Sequence, residues 1–135
     1  MENLILIDIG GTTIKFGLKQ GSNLEVLPAK PTPKTLAEFY TCLEAVVEQL
    51  KKQYPIRGVA ISSPGAVDQK NGVIKGASAL PYIHNFKIQA ELEKRFGLPV
   101  SLENDANCAA LAEMVDGAGK DVKDAIFLVV GTGVG

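Results

Sequence analysis

Cysteine and histidine are scarce in this chain, and it has neither a long apolar run nor an excess of charge of one sign. The two cysteines, Cys42 and Cys108, fall at separate predicted helical positions without metal-ligand spacing. That argues against a disulfide or metal site and predicts two buried thiols. The single histidine, His84, has no Cys or second His near it, so it reads as a surface or satisfied residue rather than a ligand or base. Fourteen basic and fifteen acidic residues are interspersed, for a net charge of -1, and supply no field to draw nucleic acid or an anionic membrane. No apolar stretch approaches the roughly 20 residues of a membrane span, and Met1-Glu2-Asn3 leading directly into a strand is no signal peptide. The expectation is a cytoplasmic protein without nucleic-acid or membrane partners. Repeats and low-complexity tracts are also missing, and 135 residues with 46% hydrophobic content suit one domain with a real core.

What is present is a regular alternation of strands, turns and helices. Leu4–Ile9 is apolar except for Asp8, which predicts a central strand buried on both faces. A carboxylate there costs several kcal/mol unless it is paired, hydrogen-bonded or neutralised by a cation, so Asp8 needs a partner. Gly10-Gly11-Thr12-Thr13 then turns the chain into a second strand, Ile14–Leu18. Paired glycines let backbone N–H groups approach a phosphate, although an ordinary hairpin turn would look the same, and the spacing is not that of a P-loop. Gly21-Ser22-Asn23 predicts a turn, and Leu24–Leu27 an edge-like strand ending at Pro28.

After a Pro31-Thr32-Pro33 linker, Leu36, Phe39, Tyr40, Leu43, Val46, Val47 and Leu50 recur at helical spacing. Thr35 and Glu38 predict a capping box at its start, and Lys51 and Lys52 suit its end. Gly58–Ser62 predicts a strand that runs into a Ser63-Pro64-Gly65 turn, and Val67–Ile74, with Asp68–Gly72 inside it, predicts a solvated hairpin or Ω-like excursion. Gly76–Asn85 reads as a loop. Ile88, Leu92 and Phe96 mark a second amphipathic helix, stopped by Gly97 and Pro99.

The stretch with most chemistry is Ser101–Glu113, where Glu103, Asn104 and Asp105 join a predicted strand, Pro99–Leu102, to a predicted helix, Ala106–Val115. Strand ends facing a cleft and helix N-termini are where open α/β sheets hold ligands. Plain helix capping by Asn104 or Asp105 is the competing explanation. A last apolar strand, Ala125–Val130, runs into Gly131-Thr132-Gly133-Val134-Gly135. This has no GxGxxG spacing and fits a second phosphate loop better than a dinucleotide fingerprint. The order of elements predicts an α/β fold, a mixed sheet flanked by helices in a ribonuclease-H-like (actin-like ATPase) lobe. In that arrangement the acid-Gly-Gly hairpin, the Pro-Gly turn and the Asn-Asp joint can converge on one edge.

Asp8–Lys15 (DIGGTTIK), Ser63-Pro64-Gly65, Glu103–Asn107 (ENDAN) and Gly131–Gly135 (GTGVG), in that order, resemble the ROK family of sugar kinases and sugar-sensing repressors. The resemblance covers residues 1–135 as the N-terminal lobe of a longer protein whose second lobe lies outside this chain. It implies that Asp8, Gly10, Gly11, Thr12, Thr13 and Lys15, with Gly131, Thr132 and Gly133, hold the phosphates of ATP, with Asp8 near Mg²⁺. It also implies that Gly65, Ser78, Asn104 and Asp105 contact a sugar, with Asp105 as the base. Phosphoryl transfer needs just such parts: positioned phosphates, a metal and a carboxylate to accept the attacking hydroxyl's proton. Tyr82-Ile83 stands where many members carry Gly-Trp, and the family's zinc motif, second-lobe sugar contacts and adenosine pocket would lie beyond Gly135.

The function so implied is ATP-dependent phosphorylation of a hexose or hexose derivative, by a lobe expected to be inactive alone. The alternative is a non-catalytic sugar-sensing module of a transcriptional regulator. Such regulators carry a helix-turn-helix ahead of this lobe, for which a first strand beginning by Leu4 leaves no room. A ribonuclease-H-like fold with an unrelated function is the third reading. The sequence leaves the sugar open among glucose, N-acetylated hexosamines, fructose and glucosides, and leaves homo-oligomerisation open too.

Overall fold

The computed structural model describes residues 3–20 and 23–104. Its elements are β1 (Asn3–Ile9), β2 (Thr13–Gln20), β3 (Asn23–Pro31), α1 (Leu36–Gln53), β4 (Ile56–Ser63), β5 (Ala66–Asp68), β6 (Val73–Lys75), a 3₁₀ turn (Pro81–Ile83), α2 (Ile88–Phe96) and β7 (Val100–Asn104). Cys108, the Gly21-Ser22 part of the first turn, the predicted helix Ala106–Val115 and the predicted strand Ala125–Val130 lie outside the described residues.

Five strands form one sheet in the order β3-β2-β1-β4-β7, and β5 pairs with β6 as a separate hairpin. The first three strands are antiparallel neighbours, whereas β4 and β7 run parallel to β1. The apolar run of β1 thus takes the middle of the sheet, where Ile5, Leu6, Ile7 and Ile9 are all buried. Alternate residues Ile5, Ile7 and Ile9 join Ile61 and Leu102 in a core covered by Phe39, Leu43 and Val47 of α1 and by Ile88, Leu92 and Phe96 of α2. The helical spacing read in the sequence is the stripe that makes this contact.

The start of α1 differs in detail from a reciprocal capping box. Thr35 Oγ1 accepts the Glu38 N–H (3.2 Å), and its own hydrogen goes to Glu38 Oε1 (2.9 Å), so the carboxylate closes on the hydroxyl. At the other helix, α2 stops where Gly97 takes a left-handed conformation (φ 68°) and its N–H donates to Glu93 O, as glycine permits.

β3 does not end at Pro28. It continues to Pro31, with a register shift between the Ile14–Lys30 and Phe16–Leu27 pairs. The irregularity falls where proline cannot donate to the ladder, and an edge strand tolerates it. Cys42 is a free thiol, half-buried rather than buried as expected. Burial pushes its pKa up, with Lys30 opposing.

Candidate functional site

The C-terminal ends of the parallel strands carry a polar row. Asp8 of β1 is in register with Lys15 of β2 on one side and Ser62 of β4 on the other, and Ser62 is in register with Glu103 of β7. Cross-strand partners share a sheet face. Lys15, Asp8, Ser62 and Glu103 therefore line up on the face opposite Ile7, Ile9, Ile61 and Leu102. Asp8, Ser62 and Glu103 are buried, at 8%, 0% and 6% exposure. One residue further on, Asn104 is in register with Ser63, which leads into the Pro-Gly turn.

The Gly10–Thr13 turn closes above this row. The Gly10 N–H donates to Thr13 O (3.1 Å), and Thr32 straps the turn from the far end of β3, its hydroxyl to Gly10 O (2.7 Å) and its N–H to Thr12 O (2.9 Å). A Cβ on Gly10 would lie 2.7 Å from Thr13 O, so only glycine fits. Gly11 and Thr12 are exposed. Among the described residues, no three His, Cys, Asp or Glu side chains form a metal cage. Mg²⁺ needs no such cage, since it is commonly held by one or two carboxylates plus substrate phosphates. An exposed glycine turn beside the Asp8 carboxylate suits that arrangement.

The loop after β6 packs against both turns. Ala79 Cβ would be 3.1 Å from a Cβ on Gly11, and His84 Cε1 would be 2.8 Å from a Cβ on Gly65, whose φ is 92°. His84 is buried, its Nε2 2.7 Å from Ser78 Oγ and its Nδ1 3.2 Å from Ile74 O. The Tyr82 hydroxyl donates to Pro33 O (2.6 Å) and its ring lies 5.5 Å from that of Phe39. Tyr82 thereby anchors the 3₁₀ turn over the start of α1. Burial, then Cys42 and Glu38, raise its pKa.

Side chains from outside the sheet tether β7, which lies at one edge among the described strands. Gln69, in the β5–β6 turn, donates through Nε2 to Leu102 O (3.1 Å) and to the Glu103 carboxylate. Gln89 Nε2 donates to Val100 O (2.6 Å), and the Val100 N–H donates to Glu93 Oε2 (3.0 Å). These bonds engage backbone groups of β7 beyond its pairing with β4 and fix the strand that delivers Asn104.

Of the residues singled out by sequence, the fold brings Asp8, Gly10, Gly11, Thr12, Thr13, Lys15, Gly65, Ser78 and the backbone of Asn104 to one end of the sheet. Asp105, Gly131, Thr132 and Gly133 lie outside the described residues. His84 is a satisfied residue rather than a surface one, and its place between Gly65 and Ser78 had no local signal. Gln69 had none either, since it sits in a turn that reads as solvated.

This architecture, a mixed sheet with glycine-bearing turns at the ends of its parallel strands, is that of the actin-like ATPase fold. Residues 4–135 match the ROK family, and the chain belongs to it. It is 38% identical over 128 residues to the beta-glucoside kinase of Listeria monocytogenes, covering 95% of this chain and 43% of that one. A ROK family protein from Streptococcus pneumoniae, solved in complex with sucrose, is 41% identical with a TM-score of 0.69, covering 85% of this chain and 38% of that one. A ROK family glucokinase from Streptomyces griseus, solved with glucose and AMPPNP, is 32% identical with a TM-score of 0.71, over 87% and 38%. The chain spans a little under half the length of the curated relatives it matches.

Proposed function

We propose that residues 1–135 are the N-terminal lobe of an ATP-dependent sugar kinase that phosphorylates a hexose or hexose derivative, with the second lobe outside this chain. The observation that carries the proposal is the row Lys15–Asp8–Ser62–Glu103 at the strand ends, flanked by the Gly10–Thr13 and Pro64-Gly65 turns. It gathers cation, carboxylates and close-approach glycines at the side of the sheet where open α/β folds take ligands.

In this reading the backbone of Gly10, Gly11, Thr12 and Thr13 and the Lys15 ammonium hold the phosphates of ATP, together with Gly131, Thr132 and Gly133. Asp8 would hold Mg²⁺, which when bound offsets phosphate charge. Gly65, Ser78 and Asn104 orient the sugar, and Asp105 accepts the proton of the attacking hydroxyl. Asp105 follows β7 directly in sequence, and Gln69, Gln89 and Glu93 hold that strand. The activities for which relatives are named, beta-glucoside kinase and glucokinase, support a hexose or glucoside as acceptor, and the AMPPNP complex of a relative supports ATP as donor. The cytoplasm, which supplies ATP, is the compartment this reading requires.

The test is isothermal titration of the two-lobed protein with a panel of hexoses and glucosides, with and without an ATP analogue, beside an ADP-release assay. Sugar binding with sugar-dependent ADP release is expected. Sugar binding without turnover would replace the kinase by a sensor.

A further inference from the structure

His84 is the only histidine in the chain, and its two ring nitrogens have different partners. Nδ1 lies 3.2 Å from Ile74 O, a carbonyl that can only accept, so Nδ1 carries the hydrogen. The same carbonyl also takes the Asn85 N–H at 2.9 Å. In the neutral ring Nε2 is then a bare acceptor, and the group 2.7 Å from it is the Ser78 hydroxyl, which must donate. This tautomer is assigned from the partners. Ser78 Oγ in turn accepts the Leu80 N–H at 3.1 Å. A hydroxyl has one hydrogen and two lone pairs. Ser78 has committed the hydrogen and one lone pair, and a single lone pair is left on a side chain that stays partly exposed.

We propose that His84 is a positioning residue that fixes the polarity of Ser78, so that the serine meets the sugar as a hydrogen-bond acceptor and selects a hydroxyl that donates to it. This rests on the sugar-site reading of Ser78 and Gly65 above. His84 performs the task because it is held on three sides. Ile74 O fixes the ring's rotation, Gly65 leaves the space that Cε1 fills, and the backbone of His84 bridges Ile74 in parallel register. A serine without this neighbour would rotate its hydroxyl to suit either partner. With it, the Ser78 position discriminates against a ligand atom that can only accept, such as an ether oxygen.

The first test is direct, since one histidine gives one unambiguous imidazole signal. Long-range ¹H–¹⁵N correlation spectra of the chain, taken well above the ordinary histidine pKa of about 6.5, should show Nδ1 protonated and Nε2 bare. A ring protonated at Nε2 would return the hydrogen to Ser78 and overturn the proposal. The second test is kinetic, in the two-lobed protein. His84→Asn can keep the donor to Ile74 O but removes the acceptor for Ser78. It should raise the sugar KM about 3–10-fold with little change in kcat, the worth of one hydrogen bond. The same change in a Ser78→Ala background should have no further effect on KM. Additive KM effects would place His84 in a role independent of Ser78 and overturn the proposal. Absence of any sugar-dependent turnover in the wild type would remove the ligand assigned to Ser78, while the tautomer measurement would still stand.

Discussion

Gly65 and His84 occupy each other's space: a Cβ on Gly65 would sit 2.8 Å from His84 Cε1, with Ile74 Cγ2 and Lys75 O both at 3.0 Å. Gly65 also has a φ of 92°, which L side chains avoid. Gly65→Ala therefore combines backbone strain with overpacking and should cost about 2–4 kcal/mol of stability. Urea unfolding of the chain checks it. A loss below about 0.5 kcal/mol, the usual size of a surface change, would mean that the turn is not packed on His84 in solution.

The tether from the β5–β6 turn to β7 gives a second expectation. Gln69→Ala removes the donor shared by Leu102 O and the Glu103 carboxylate and should destabilise the chain by about 1–3 kcal/mol, because acceptors at a buried edge lose their partner. Lys70→Ala, one residue along the same turn and exposed, is the control and should stay within about 0.5 kcal/mol. Equal effects of the two would show that the turn, and not the glutamine, holds the strand.

Much of this fold could be read from the chain because its signals are local. The apolar run around Asp8, the period of Leu36–Leu50, the Gly97 stop and the paired glycines each declare an element within a few residues. The candidate site was legible to the extent that its parts are turns at strand ends. What escaped depends on contacts between distant segments. His84 is buried because Gly65 makes room for it, Gln69 is bonded because β7 passes near the β5–β6 turn, and β3 runs past Pro28 because a register shift absorbs it. None of these pairings leaves a trace in the flanking sequence.

Asp68 supplies a pH-dependent contribution in the same hairpin. Its pKa is lowered, first by the Asn71 side-chain amide, with further help from the Asn71 N–H and from Lys75 at 3.3 Å. A depressed carboxylate pKa adds stability above the ordinary value, and that stability is lost as pH falls through the depressed one. Carboxyl ¹³C titration should show Asp68 below the ordinary carboxylate range, moving upward toward it in Asn71→Ala. An unchanged midpoint in that variant would remove the amide as the main cause.

The 135-residue chain alone should give no sugar-dependent ADP release. Phosphoryl transfer relies on excluding water and aligning donor with acceptor, and kinases of two lobes achieve both by closing across a cleft. The measurement is a coupled assay on the purified chain with several hexoses, repeated with Asp105→Asn to expose contaminating kinase. Turnover that the substitution abolishes would show the second lobe to be dispensable.

Asp105→Asn in the two-lobed protein tests the central claim, that the end of this sheet is the sugar-phosphorylating site, most directly. The amide is isosteric, keeps one acceptor oxygen and loses the basicity of the carboxylate. Sugar affinity, measured by isothermal titration, should stay within about tenfold, while kcat falls by roughly 10²–10⁴, the worth of a positioned general base. A variant that keeps more than about a third of the wild-type kcat, or a wild-type protein that releases no ADP in response to any sugar, would contradict the account.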